Sequence, residues 1–225
     1  MNLDPRVSKI QIVLFIKDIV DRFNKIKIAA DISDLYDCFD EEQAVLPIPE
    51  DAPPEIPLVL FKGRGCLCTV SKTHINFICD NDSQDDIVKV AEYLFNKVKP
   101  LIKYFTNTPM LVFSRIGIVV EGYFGTDSLE FLRQYLFKDR VADCNSFELG
   151  FLFNPIINER RINKWVRFSA NNDKVGFKLD FNTIDDLSIE LEAEDLYYTL
   201  DSLLIELNKK TIDLFEMNLF NEQDG

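Results

Sequence analysis

The sequence predicts an α+β fold of antiparallel sheets with long covering helices, in a single globular unit over residues 1–225. Three observations lead to this prediction. Short β-branched and apolar runs recur between turn residues, which is typical of antiparallel strands. Two longer stretches repeat apolar residues every three or four positions, as amphipathic helices do. The order of strands, an Asp/Asn-rich break and a helix occurs twice, which indicates an internal duplication with pseudo-repeats at 58–124 and 147–215.

The first half begins with a strand at 9–16 and an amphipathic helix at 31–42. Five prolines within 43–57 exclude a helix and a central strand, so this segment is expected to be an extended, solvent-facing connector. Strands at 58–61, 65–70 and 73–79 follow, and the last two form a hairpin. A helix at 84–105 comes next, and Pro100 should kink it or end it early.

The second half begins with a strand at 110–124, in which Gly117 and Gly122 are candidate bulges. A capped helix at 126–137, a strand at 147–153 and a polar turn at 158–163 come next. The segments 164–170 and 174–181 predict a second hairpin. A final helix is predicted over 194–215, because leucines recur there at an a/d-like spacing.

The order and spacing of these elements resemble a sporadically distributed family of uncharacterised prokaryotic proteins of about this length. A prokaryotic or viral source is expected. The resemblance lies in the Pro-rich segment before 58–61, the helix at 84–105, the strand residues 114–118 and the terminal helix. Residues 119–122 depart from the polar pattern that follows this strand in the family. The family has no known activity, so the resemblance implies no functional residues.

The charge is segregated. The net charge is −13, yet nine acids and no Lys or Arg lie between residues 28 and 61, and the same holds between 179 and 208. The rest of the chain has 20 acids and 25 bases, a local balance of +5. Binding along a nucleic-acid backbone needs a positive footprint, so nucleic acid is not an expected partner. A basic protein partner suits the two anionic blocks better.

The sequence also predicts a cytoplasmic protein. No apolar run approaches the roughly 20 residues of a membrane helix, and the first residues lack the pattern of a signal peptide. The five cysteines are odd in number and irregularly spaced, so we expect buried free thiols.

The candidate metal ligands are Cys66, Cys68, His74 and Cys79, since zinc takes four ligands of these types. A two-residue hairpin turn would place the three cysteines on one face and His74 on the other, whereas a three-residue turn would reverse that parity. We therefore interpret the cysteines as core residues and expect no metal and no cofactor. Acidic clusters near 185–195 could bind a divalent cation, but acids also favour the start of a helix.

No catalytic motif is readable, so the sequence predicts a protein that is not an enzyme. His74 is the only histidine, and Ser71 lies close to it in sequence without a nucleophile elbow. The glycines at 63 and 65 do not form a phosphate-binding loop.

The leading hypothesis is a non-enzymatic interaction protein, such as an inhibitor, an immunity-type factor or an assembly subunit, that binds a partner through its segregated acidic surface. Trp165 and Arg167 should share one face of their strand. They are interface candidates, since Trp and Arg dominate binding hot spots, and a loop or helix that covers Trp165 is the alternative interpretation. The alternatives are an acidic DNA mimic and a hydrolase or nucleotide enzyme of unrecognised type, and a homo-oligomer is compatible with each. The candidate partner-binding residues are Trp165, Arg167, Arg160, Arg161, Asp34, Asp37, Glu41 and Glu42.

Overall fold

All strands in the described part of the chain join in one antiparallel sheet. The computed structural model describes residues 5–18, 24–35, 41–49, 51–63, 65–80, 87–107, 111–124, 146–157, 160–171, 174–184 and 196–203. The ten strands are β1 (Pro5–Ile16), β2 (Glu42–Val45), β3 (Val59–Gly63), β4 (Cys66–Val70), β5 (His74–Asp80), β6 (Phe113–Phe124), β7 (Ser146–Phe153), β8 (Ile156–Ile157), β9 (Arg160–Asn171) and β10 (Lys174–Thr183). Their order is β2-β3-β4-β5-β1-β6-β10-β9-β7, and the short β8 pairs with β9.

Three helices pack on one face of this sheet: α1 (Lys25–Leu35), α2 (Ile87–Thr106) and α3 (residues 196–203). Leu94 and Val98 of α2 line a common cleft with Phe77 of β5, which places α2 over the sheet. The Tyr104 hydroxyl of α2 donates a hydrogen bond to Asp31 of α1 (2.8 Å), and α1 contacts β2 and β3. None of the described helices is long and apolar enough to cross a membrane.

The α3 helix is joined to α2 on the same face. The hydroxyl of Tyr197 donates a hydrogen bond to the carbonyl oxygen of Lys99, at 2.8 Å. Leu196, Leu200 and Leu203 are buried, in agreement with the predicted leucine stripe over the part of 194–215 that the structure describes. The helix predicted at 126–137 lies outside the described residues.

Alternation along each strand divides the sheet into a covered face and an open face. In β1, for example, Ile10, Ile12 and Leu14 are buried, whereas Gln11 and Val13 between them are partly exposed. The same period of two runs through β3, β4, β5, β6, β9 and β10. The side chains of the covered face join the helices in one apolar core.

The α+β class and its antiparallel pairing are confirmed, but the prediction of separate sheets is wrong. β1 and β6 pair along almost their whole length, and this pairing fuses the strands of both halves into one sheet. Burying two long apolar strands side by side removes two sheet edges that would otherwise be unpaired.

Several element boundaries differ from the prediction. The first helix begins at residue 25 and not at 31, and β2 (Glu42–Val45) overlaps the end of the predicted helix and the start of the predicted connector, before the first proline. β9 begins at Arg160, so the polar turn predicted at 158–163 is wrong over most of its length. Pro100 lies within α2, and the helix continues past it to residue 106.

The cysteine prediction is wrong for two of the five residues. Cys66 and Cys79 are directly opposite each other in β4 and β5, with Cα atoms 4.3 Å apart, and they form a disulfide. Cross-strand neighbours at this separation have their Cβ atoms within reach of an S–S bond. Cys68 is buried and is not part of a disulfide, as expected. Cys38 and Cys144 lie outside the described residues.

Candidate functional site

The candidate site is the open face of the sheet, which consists of the strand residues that alternate with the buried ones. The described helices lie on the other side, so this broad surface is where the strands present side chains away from the core. Its aromatic residues are Phe15, Tyr123 and Trp165, all partly exposed.

Trp165 and Arg167 form a stacked pair on β9. The guanidinium carbon of Arg167 lies 5.1 Å from the centroid of the Trp165 ring, which is within the range of a cation–π contact. Val166 and Phe168 alternate with this pair and are buried. The predicted alternation of β9 is therefore confirmed: Trp165 and Arg167 share the face opposite the buried Val166 and Phe168.

Glu121 anchors the centre of the open face. The Lys178 ammonium donates a hydrogen bond to one of its oxygens at 2.8 Å, and Lys9 approaches the other at 3.5 Å. The hydrogen bond from Lys178 holds the pKa of Glu121 below its usual value. The positive charges of both lysines are thus largely satisfied within the protein.

Arg115 forms a second stacked pair, with Phe15. Its guanidinium carbon lies 3.8 Å from the centroid of the Phe15 ring, and the two residues are directly opposite in β6 and β1. In the part of the chain that the structure describes, the buried Nε of Arg115 has no hydrogen-bond partner. The stacking on Phe15 fixes the orientation of the guanidinium group.

The open face is slightly basic although the chain has a net charge of −13. Among strand residues whose side chains the structure describes, its acids are Glu42, Asp80, Glu121, Glu148 and Asp180, and its bases are Arg6, Lys9, Lys62, Arg115, Arg161, Arg167 and Lys178. The electrostatic potential of the open face is therefore more positive than that of the whole molecule. This potential favours acidic groups on a ligand.

His74 and Ser71 meet at the turn between β4 and β5. Nδ1 of His74 lies 3.1 Å from the hydroxyl oxygens of both Ser71 and Thr73. The Ser71 hydroxyl also accepts hydrogen bonds from the backbone N–H groups of Thr73 (3.3 Å) and His74 (3.0 Å). Ser71 is buried, so a substrate cannot reach this oxygen, and the arrangement stabilises a turn.

The predicted metal ligands do not come together. Cys66 and Cys79 form a disulfide with each other and have no thiolate to bind a metal, and Cys68 lies on the covered face with them. His74 points to the open face, because Val70 pairs with Ile75 and the backbone N–H of Ser71 donates a hydrogen bond to the carbonyl oxygen of His74, which leaves Lys72 and Thr73 as a two-residue turn. The parity inferred from a two-residue turn is therefore correct, although the register is shifted. The described residues contain no group of three or more His, Cys, Asp or Glu that could hold a metal ion.

The candidate partner-binding residues separate into two distant groups. Arg161 shares the open face with Trp165 and Arg167, whereas alternation directs Arg160 to the other face. Asp34 lies in α1, and Glu41 and Glu42 are exposed at the opposite edge of the sheet; Asp37 lies outside the described residues. At about 4.8 Å per strand, β2 and β9 are roughly 30 Å apart.

Two further corrections concern residues near this site. Lys164, which lies between Arg161 and Arg167 in the sequence, is buried on the covered face, with Nζ 5.3 Å from the Phe181 ring centroid. Phe15 and Arg115 were not among the predicted site residues. The signal that could have identified Arg115 is its position beside Ile116 in an apolar strand, where alternation turns a charged side chain away from the core.

The cleft between α2 and the β4–β5 hairpin has room for about 10 Å³, the space of one water-sized group, and its lining is apolar. It therefore offers no binding site for a substrate or cofactor. In comparisons with protein-family models, curated proteins and solved structures, nothing matches the chain. The family resemblance, the cytoplasmic placement and the absence of an enzyme activity stay predictions.

Proposed function

We propose that this protein is a non-enzymatic interaction protein that binds a partner protein through the open face of its sheet. The observation that carries the proposal is the pair of outward stacks, Arg167 on Trp165 and Arg115 on Phe15. Stacked arginines lose little side-chain freedom on binding, and Trp and Arg contribute disproportionately to protein interfaces.

The partner segment that suits this face is acidic. Lys9 and Lys178 already share Glu121, whereas Arg115 and Arg167 stack on rings without an ion pair to a described carboxylate. Carboxylates of a partner can accept two parallel hydrogen bonds from a guanidinium. A polyanionic nucleic acid is a less favoured ligand, because the net charge of −13 opposes its long-range approach.

The acidic blocks remain a second proposed surface, suited to a basic partner. Glu41, Glu42, Asp51 and Glu55 are exposed near the β2 edge. They lie at the end of the sheet far from Trp165, so the two surfaces can engage different partners or different parts of one partner. DNA mimicry would use this acidic edge and not the open face.

The internal duplication also remains a proposal. What supports it is the strand order, since β5, β4 and β3 follow β1 outward as β10, β9 and β7 follow β6. This order fits repeats that begin at β1 and at β6 better than repeats that begin at residues 58 and 147.

The test compares affinity capture by three full-length baits. The wild type should retain a partner that the variant Trp165→Ala/Arg167→Ala loses, with affinity reduced at least about 100-fold for a hot-spot pair. The matched control Lys103→Ala/Tyr198→Ala removes an exposed cation and an exposed aromatic from the helical face and should bind as the wild type does.

A captured partner is then titrated in solution while the fluorescence of Trp165, the single tryptophan, is followed. Binding on the open face should change this emission. The proposal is wrong if every captured protein binds the open-face variant and the wild type equally. Binding of nucleic acid instead of protein in this titration would also contradict it.

A further inference from the structure

We infer that β7 is the interface of a homodimer, in which two copies pair their β7 strands antiparallel and extend the sheet across both molecules. The inference goes beyond partner binding, because it concerns the edge of the sheet and a second copy of this chain. The two edges of the sheet, β2 and β7, differ in how well they are protected against pairing with another strand.

The β2 edge is protected against further pairing. It is only four residues long, it presents the exposed Glu42, and prolines follow it closely. The side-chain amide nitrogen of Gln43 in β2 donates a hydrogen bond to the backbone carbonyl oxygen of Ala29 in α1, at 2.7 Å. Short length, charge and proline are devices by which proteins block edge-to-edge association.

The β7 edge lacks these devices. It has eight residues, its sequence Ser-Phe-Glu-Leu-Gly-Phe-Leu-Phe contains one charge, and its first proline follows the strand, at position 155. Within the described part of the chain, β7 pairs on one side only, with β9. A long apolar edge strand of this kind is a template for pairing with another strand.

Apolar side chains are exposed on both faces of this edge. Leu152 on the open face is 46% exposed, and Phe151 and Phe153 on the other face are 37% and 38% exposed. Ile156, just beyond the strand, is 69% exposed. Burial on both faces requires that the sheet itself continue, which a paired strand achieves and a helix docked on one face does not.

The sequence of β7 is complementary to itself. With a two-fold axis at Phe151, each Leu152 lies opposite Gly150 of the second copy, where the absence of a side chain leaves room for it. Leu149 lies opposite Phe153 on the other face, and the two Phe151 rings meet at the axis. Glu148 then faces the uncharged Asn154 and not a second Glu148, so no like charges are opposed.

The charge layout favours the same arrangement. Pairing through β7 places the two acidic β2 edges at the far ends of the joined sheet, where the repulsion between these two edges is screened over many Debye lengths. It also brings Gly150 of one copy beside Leu152 of the other, next to Arg167 and Trp165. The open face thus becomes continuous across both molecules.

Sedimentation velocity of the full-length chain tests the inference. The wild type should be a dimer that dissociates on dilution. Leu152→Lys should raise the dissociation constant at least about 100-fold, because it places a charge opposite Gly150 in an apolar strand pair. The matched control Ile26→Lys replaces a side chain of α1 that is 71% exposed and should leave the dimer unchanged.

Cross-linking tests the register independently of stability. In a background with Ser at Cys38 and Cys144, the variant Phe151→Cys should give a covalent dimer with a short bismaleimide, because residue 151 lies on the two-fold axis. Glu148→Cys should not, because the two copies of residue 148 are six positions apart, roughly 20 Å. A monomer at all concentrations, a dimer insensitive to Leu152→Lys, or preferential cross-linking at 148 would each overturn the inference.

Discussion

The fold changes the protonation of His74. It lies half-buried against the turn hydroxyls, and this burial lowers its pKa below 6.5, while the nearby charge of Glu55 acts in the opposite direction. A histidine with a lowered pKa is held neutral in the folded protein. The neutral form of His74 therefore makes the stability of the fold depend on pH.

We expect the free energy of unfolding to fall as the pH is lowered through 6.5. The unfolded chain takes up a proton there that folded His74 resists, so the unfolded state gains stability at lower pH. Above about pH 7.5 this contribution vanishes. Urea unfolding between pH 7.5 and 5.5 measures the slope, and His74→Gln should flatten it. Asp31 and Glu121 do not contribute to this slope, because their pKa values are lowered from 3.8 and 4.5 and lie below the pH range of the measurement. An unchanged slope in the variant would contradict this assignment.

The open face shows what could be predicted residue by residue. The outward orientation of Trp165 and Arg167 follows from alternation within one strand, so a local pattern was sufficient. The stack of Arg115 on Phe15 depends on the pairing of β6 with β1, one hundred positions apart in the chain. No local pattern contains that information, which is why this half of the site was missed.

At the scale of elements, Gly122 is where β1 and β6 need a residue without a side chain. A Cβ at this position would overlap the carbonyl oxygen of Arg6 and the ring of Phe177. The register shift beside it lies in β1, between Val7 and Lys9, so the predicted bulge exists in the partner strand and not at the glycine itself.

Gly122→Ala should therefore destabilise the protein by about 3 kcal/mol, because backbone and a packed ring must both move. Gly117→Ala in the same strand is the matched control. Its new methyl would lie 3.5 Å or more from its neighbours, which is ordinary contact, so stability should change by less than about 0.5 kcal/mol. Thermal and urea unfolding measure both variants. Equal losses of stability would show that strand propensity, and not the close approach, decides the outcome.

Helices and strands are predictable where the turn residues and the spacing of apolar residues indicate the same element. The hairpins at β4–β5 and β9–β10 are predicted with the correct faces, whereas the register of the first differs because its two-residue turn consists of Lys72 and Thr73. The predicted start of the first helix is too late, because the prediction rests on the spacing of its acidic and apolar residues and not on its cap. Asn24 accepts a hydrogen bond from the backbone N–H of Lys27 at 3.0 Å and thereby starts α1 at residue 25.

For the whole molecule, the decisive feature is the β1–β6 pair at the centre of the sheet. The sequence contains two strand-and-helix units, which is compatible with two sheets or with one. Pairing of β1 with β6 selects one sheet, and the cores beneath both halves merge into a single apolar cluster. The charge segregation seen in the sequence then becomes an acidic β2 edge and a slightly basic open face on the same rigid sheet.

A continuous sheet and core should unfold as one cooperative unit, and the chain provides a probe in each half. Trp165 on β9 reports one side of the β1–β6 pair, and the buried thiol of Cys68 on β4 reports the other. In a background with Ser at Cys38 and Cys144, Trp165 fluorescence, thiol reactivity of Cys68 and far-UV circular dichroism should give coincident urea transitions, because no intermediate is populated in two-state unfolding. Disruption of the central pair by Ile118→Asp should shift all three transitions together. Separate midpoints for Trp165 and Cys68 would instead mean that the halves unfold independently and that the β1–β6 pair joins two domains.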